Sequence, residues 1–272
     1  MKIERTLSIM LFLCALAISV KAQSPTQNYV LSKDVLDVDG THAITTVTYY
    51  DGLGYPVETA TNGLGGTGKY AYTLLEHDAL GREKQSWLPG TQKDGCSFVV
   101  PSELSSSLIT FHKDRNPYSV NSYDALDRQV STLGAGESWH TAKKSIEQRY
   151  GSNEANSIKR YQVSGSGSLV ENGYYAANSL SMLEVTDEDG KTKQTFSDLF
   201  GNKVLERRDV DNDTYYVYDN IGHLRYVLSP SYQECSDLQK FGYEYRYDKY
   251  GRCVWKRLPG CEYQQMWYDA AD

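Results

Sequence analysis

The stretch YRYDKYGRCVWKRLPG, Tyr245 to Gly260, decides the fold of this chain, because its centre, Tyr-Asp-x-x-Gly-Arg, is written again and again along the sequence. Aligned on the Asp, the copies are YYDGLGYPVETA (Asp51), EHDALGREKQSW (Asp78), SYDALDRQVSTL (Asp124), VTDEDGKTKQTF (Asp187), FSDLFGNKVLER (Asp198), VYDNIGHLRYVL (Asp219), RYDKYGRCVWKR (Asp248) and WYDAAD (Asp269). Before each Asp, aromatic and polar residues alternate, as in TYYVYD and GYEYRYD, which is the period of a strand with one buried face. An Asp at the first turn position accepts backbone N–H bonds two residues on, and a Gly three residues later supplies the positive φ of a type I turn with a G1 bulge. The signature residues are therefore Tyr50, Asp51 and Gly54; Asp78, Gly81 and Arg82; Tyr123 and Asp124; Asp187 and Gly190; Asp198 and Gly201; Tyr218, Asp219 and Gly222; Tyr247, Asp248, Gly251 and Arg252; Tyr268 and Asp269. Each unit reads as a β-hairpin, which is marginal alone in water and buries its tyrosines only against neighbours.

Spacing divides the chain. Asp198 to Asp219 and Asp248 to Asp269 are both 21 residues, and the 29 between Asp219 and Asp248 leave room for SPSYQECS (Ser229 to Ser236) as an inserted loop. Upstream steps of 27, 46 and 63 are irregular, so the second half reads as a repeat array and the first as a decorated relative of it.

The motif at Tyr247–Arg252 resembles the YD repeat of the Rhs family. TVTYYDGLGYPVETA (Thr46 to Ala60) and HDALGREKQSWLPG (His77 to Gly90) are similar to the domain of uncharacterised function that precedes the repeats in exported bacterial Rhs-like proteins, and the likeness runs over about residues 43 to 272. It implies a mainly β fold of successive antiparallel hairpins forming a curved sheet. It also implies a non-enzymatic role as part of a β-shell that encloses or presents a C-terminal toxin domain, whose partners are the remainder of the shell and that cargo. Departures are local: His77 and Ser197 replace Tyr, Tyr55, Asn202 and His223 replace Arg, and Asp127 replaces Gly. Those units are expected to be distorted or to lie at edges.

Organisation follows as a signal peptide at 1–22, a polar segment with little packing of its own at 23–42, a degenerate hairpin domain at 43–185 and the array at 186–272. Lys2 and Arg5 precede the apolar run Leu7 to Val20, and Val20-Lys21-Ala22 suits cleavage after Ala22, so the chain reads as exported to the periplasm, cell surface or medium. No further apolar run is long enough for a membrane span. WYDAAD stops inside a unit, the opposite of a capping end, so the chain reads as a fragment of a longer protein. PSELSSSLITFHKD (Pro101 to Asp114) and GESWHTAKKSIEQRYG (Gly136 to Gly151) read as helices, the second with Trp139, Ala142, Ile146 and Tyr150 on one face. SGSGS (Ser164 to Ser168) is a flexible connection or a hairpin tip.

Composition agrees with strands and turns: 23 Tyr and 22 Gly against 6 Phe and 4 Met, at a mean hydropathy of −0.56. Net charge is −7, and since the leader carries +2 from Lys2, Arg5 and Lys21 against Glu4, the remainder carries −9, which excludes nucleic acid as a partner. Cys96, Cys235, Cys253 and Cys261 are either buried thiols or hold a disulfide, with three connectivities open.

Chemistry-bearing patterns are few. The repeated Asp residues are each accounted for by a turn, so no catalytic carboxylate pair stands out. DVDNDT (Asp209 to Thr214) imitates the start of a calcium loop but has Thr214 where the loop needs Gly and Asn220 where it needs Glu, so it reads as a hairpin tip. His42, His77, His112, His140 and His223 show no metal spacing, and no motif calls for a cofactor. Trp87, Trp139, Trp255 and Trp267 read as core from their strand period; exposed, they would offer stacking platforms to a surface glycan or grip a partner protein, the rival reading of the chain.

Overall fold

A computed structural model describes residues 26–39, 42–62, 69–209 and 212–269. The signal segment with Ala22, and Asp211 of the calcium-like stretch, lie outside them. The described residues are mainly β, in antiparallel pairs, with four short helices. The chain divides into two compact units: residues up to 127 with 132–144, and 128–131 with 145–272. The division suggested at 185/186 falls inside a hairpin of the second unit, where Thr186 pairs with Thr192.

The first unit runs β1 (Asn28–Val35), β2 (Ala43–Tyr50), β3 (Pro56–Thr61), β4 (Tyr70–His77), β5 (Glu83–Trp87), β6 (Gly90–Lys93), α1 (Pro101–His112), β7 (Tyr118–Tyr123) and α2 (Glu137–Ala142), with β8 (Gln129–Leu133) shared at its end. β1 to β5 pair in order, β6 pairs with the start of β4, and β7 adds to β5. Alternation sends Val47, Tyr49, Ala60, Tyr72 and Leu74 to one face, where Leu104 and Leu108, one turn apart on α1, cover them. The irregular strip 95–99 between sheet and helix has no ladder for its carbonyls. Tyrosine tips supply the partners: Tyr49 Oη donates to Cys96 O (2.7 Å), and Tyr72 Oη to Gly95 O (2.7 Å) and Ser97 O (3.0 Å). The fully buried Glu58 accepts from Val99 N at 3.1 Å.

The second unit holds β9 (Ser145–Ser152), β10 (Lys159–Val163), β11 (Leu169–Tyr174), β12 (Ser181–Thr186), β13 (Thr192–Ser197), β14 (Lys203–Arg208), β15 (Asn212–Tyr218), β16 (Leu224–Leu228), α3 (Pro230–Cys235), α4 (Leu238–Phe241), β17 (Gly242–Tyr247), β18 (Cys253–Arg257) and β19 (Tyr263–Gln265). β12 to β19 pair in chain order and β9 adds to the outer edge of β12. The β10–β11 hairpin, whose tip is Ser164–Ser168, packs on the face formed by Leu205, Tyr215, Val217, Tyr226 and Leu228. Tyr161 meets Tyr215 edge-on at 5.1 Å, and Tyr226 Oη donates to Gly167 O (2.6 Å) at the tip.

Two expectations need correction. Residues 136–151 are not one helix: α2 ends at Ala142 with Lys143 left-handed (φ 51°), and Ser145–Ser152 is β9. Ile146 and Tyr150 fit a strand face as well as a helical one, and the free edge of β12 offers six backbone pairs from Ser152↔Ser181 to Glu147↔Thr186, which decides for the strand. In the described part of the 23–42 segment, β1 pairs with β2 along its whole length while every side chain stays exposed. The insertion after β16 is helical, forming α3 and α4.

Candidate functional site

The repeated turns are where the sequence concentrates its invention, and their geometry repeats. At Asp51, the Gly54 N–H donates to Asp51 O (3.2 Å), the Asp51 N–H to Tyr55 O (2.9 Å), and Asp51 Oδ1 accepts from the N–H groups of Leu53 and Tyr55, both at 2.9 Å. The same four bonds recur at Asp78, Asp187, Asp198, Asp219 and Asp248. Gly54, Gly81, Gly190, Gly201, Gly222 and Gly251 all hold φ between +80° and +89°. Asp127 takes that place after Asp124 at φ 60°, a conformation Asp tolerates at modest cost. The strand register slips by one residue beside the turns at Tyr50, Ser197, Tyr218 and Tyr247. Asp269 opens a turn that runs into 270–272, outside the described residues.

The residue four after the Asp has two tasks, and turn chemistry alone did not disclose them. Within its turn it takes the second carboxylate oxygen: Arg82 Nε donates to Asp78 Oδ2 (2.7 Å), Arg252 Nε to Asp248 Oδ2 (2.9 Å), and Asn202 Nδ2 to Asp198 Oδ2 (3.0 Å). Arg82 and the turn N–H groups hold the Asp78 carboxyl below the usual range. At Asp248 partial burial pushes the other way, and the Arg252 and Tyr250 bonds outweigh it to give a lowered pKa. Toward the next unit the same side chain stacks on an aromatic ring. Arg82 lies 4.8 Å over Tyr123, Arg252 4.7 Å over Tyr268, and Arg128 4.3 Å over Tyr150. At two of the departures from the motif the stack survives: His223 stacks on Tyr247 at 4.7 Å, and Tyr55 on His77 at 5.3 Å. In these two units the four turn bonds are kept and an aromatic ring replaces the guanidinium.

Where the second ring of the stack is a tyrosine, it closes the link. Its hydroxyl donates to the carbonyl five residues after the preceding unit's Asp: Tyr123 to Glu83 O (2.8 Å), Tyr247 to Leu224 O (3.0 Å) and Tyr268 to Cys253 O (2.9 Å). Tyr150 does the same to Gln129 O (3.1 Å) although Gly151, not Asp, follows it. At these turns Tyr, Asp, Gly and the fourth-position residue together tie one hairpin to the next strand pair.

The other candidates are placed as follows. Cys96, Cys235, Cys253 and Cys261 are free thiols. Asp213 is held bidentate by Arg207 (2.6 and 2.7 Å), and no cluster of three metal-ligating side chains occurs among the described residues. Trp87 is buried with Nε1 on Glu76 (3.0 Å), and Trp255 lies against Arg246 and Tyr263; Trp267, expected in the core, is 83% exposed. A groove of about 570 Å³ opens between the Asp51 and Asp78 turns, but both carboxylates are already engaged in their turns. Sequence reading missed the buried acids. Glu206 meets Lys203 (2.9 Å), Arg208 (2.8 Å) and Lys193 (3.4 Å), and Glu244 meets Arg246 (3.0 Å) and Arg257 (3.1 Å). Burial pushes the Glu206 carboxyl up, and the cations overcome it to leave a pKa of about 2, the state of a structural anion rather than a proton donor. No described helix is long and apolar enough to cross a membrane.

Residues 19–152, just under half of the chain, match the family model described as Domain of unknown function (DUF6443). No curated protein matches. Among solved structures, the chain is similar to one from a Photorhabdus luminescens Tc holotoxin pore, at 14% identity over 92% of this chain and 12% of that one, with a TM-score of 0.49. It is also similar to chains of the TcdB2–TccC3–Cdc42 and TcdB2–TccC3 crystal structures, at 14% identity, TM-scores of 0.43 and 0.42, and 90% and 85% of this chain. The chain spans about an eighth of the length of these structures.

Proposed function

We propose that this chain is a non-enzymatic wall segment of an exported Rhs-like YD-repeat protein, built to be continued by further repeats and to help enclose or present a C-terminal toxin domain. The observation that carries the reading is the ladder: the Arg252–Tyr268 and His223–Tyr247 links spend the signature residues on joining one hairpin to the next, leaving none of them aimed at a substrate. The engaged carboxylates and the Glu206 ion cluster support the same reading.

Limited proteolysis of the natural polypeptide that contains this chain tests it. The expected result is a resistant repeat region that keeps a bound C-terminal fragment protected, with a mature N-terminus at Gln23 after cleavage behind Ala22. Uniform digestion of the repeats, or a C-terminal fragment cut as fast as free peptide, would overturn it. A rival reading as a glycan- or protein-binding module draws on the exposed Trp267 and Tyr263; glycan-array binding lost on Trp267→Ala would favour it.

A further inference from the structure

The β10–β11 tip does not seal against the sheet. Between residues 166–169 at the tip, strands β16 and β17, and Tyr232 of α3 with Leu238 of α4, a pocket of about 490 Å³ stays open. That volume lies within the roughly 300–1,000 Å³ of small-molecule sites. Its charged lining is Arg225, Glu244 and Arg246. Arg225 is held by one bond, from Nε to Tyr245 O (2.9 Å), and its side chain is only 17% exposed. Among the described residues its Nη1 and Nη2 make no hydrogen bond. Asp219 Oδ2 is 3.8 Å from Nη1, and Nη2 stands by the tip, 3.4 Å from where a Cβ on Gly167 would lie. A guanidinium this sheltered is costly until its remaining N–H groups find acceptors. Glu244 cannot serve, because Arg246 Nη2 (3.0 Å) and Arg257 Nη2 (3.1 Å) take its two carboxylate oxygens. Arg257 Nε is buried without a partner as well, so the surplus here is of donors.

We propose that this pocket binds a monocarboxylate, gripped by Nη1 and Nη2 of Arg225. Two N–H groups of one planar fork match the two oxygens of a carboxylate. Charge selects the same ligand. The charged side chains that line the pocket, with those paired to them, are Arg225, Arg246 and Arg257 against Asp219 and Glu244. Three cations against two anions leave one positive charge, which a monoanion balances and a phosphate dianion overshoots. At the tip, Ser166 Oγ bonds Ser164 Oγ (2.8 Å) and Ser168 Oγ (3.3 Å), a chain of hydroxyl rotors able to turn a donor toward the ligand. Leu169, Tyr232 and Leu238 give the pocket an apolar wall that suits a ring-sized body beside the charge. Arg225 lies outside the turn signature, so the inference goes beyond the wall reading and does not depend on it.

Titration of the isotope-labelled full chain with benzoate, followed by amide chemical shifts, tests it. Benzamide serves as the neutral twin and inorganic phosphate as the dianion. The tripeptide Ala-Ala-Phe, as acid and as amide, separates a chain end from a free acid. Benzoate should shift the Gly167 and Ser168 amides with a Kd of about 1 mM or tighter, at least tenfold tighter than benzamide. Arg225→Gln should remove that advantage, and Arg225→Lys should keep part of it. A tripeptide acid binding tenfold tighter than benzoate and than its own amide makes the ligand a chain terminus, and weaker binding makes it a free acid; the proposal holds in both. Should Arg225→Gln not fold by circular dichroism, Arg246→Gln, at a side chain 58% exposed, should weaken benzoate at least threefold. Arg115→Gln in the first unit should leave it unchanged. No saturable shift up to about 20 mM, benzamide binding as well as benzoate, phosphate binding more tightly than benzoate, or affinity unchanged in the pocket variants would overturn the proposal.

Discussion

Gly81 and Gly190 hold the same place in their turns at φ +80° and +81°, yet they are not equivalent. A Cβ at Gly190 meets nothing within 4 Å, whereas one at Gly81 would lie 2.2 Å from Cζ of Tyr55, the ring stacked on His77. Gly190→Ala should therefore cost about 1 kcal/mol, the left-handed backbone penalty alone. Gly81→Ala should cost roughly 1–3 kcal/mol more, as for other overpacking changes, and Tyr55→Ala should relieve part of the excess; urea denaturation of the four proteins checks this. The ladder itself is measurable by a double-mutant cycle. Tyr247→Phe keeps the ring under His223 but drops the 3.0 Å bond to Leu224 O, an expected loss of about 1 kcal/mol. His223→Ala with Tyr247→Ala should show a coupling of about 0.5–1.5 kcal/mol, and a coupling near zero would remove the ladder's energetic basis.

At the scale of elements, β14 and β9 show how far local pattern reaches. β14 reads as a strand from KVLERR, but its Glu206 is an acid on a buried stretch, stable only because Lys203, Lys193 and Arg208 converge on it from two strands. Its carboxyl falls from 4.5 to about 2 on folding, so its stabilising effect is complete above pH 4.5 and lost as pH falls toward 2; the lowered pKa values of Asp78, Asp248 and Glu184 act in the same direction. Melting temperature should drop across pH 4.5 to 2, and Glu206→Gln should be less stable at pH 7 with a shallower acid slope. For β9, Ile146 and Tyr150 satisfy both helix and strand periods, and no local signal separates them. The αL stop at Lys143 and the open edge of β12 do, and neither is visible in residues 136–151.

Across the whole molecule, two separate cores predict two separable unfolding events. Leu104 and Leu108 anchor one core and Leu205 and Leu228 the other, all fully buried. Leu108→Ala and Leu205→Ala should each cost about 2–5 kcal/mol, and in scanning calorimetry each should lower a different transition; a single transition shifted equally by both would show one cooperative unit instead. The hairpins, their turn type and the αL Asp127 were all legible in the sequence, because a turn is decided by four adjacent residues whose steric and hydrogen-bonding needs are local. What tertiary structure alone decided is what those turns touch: the fourth-position side chain stacked on the next unit's ring, Tyr150 serving as a rung without an Asp after it, and the strand identity of β9. Each depends on which strands lie side by side, and that choice is made by long-range backbone pairing and burial of whole faces rather than by any short window of residues.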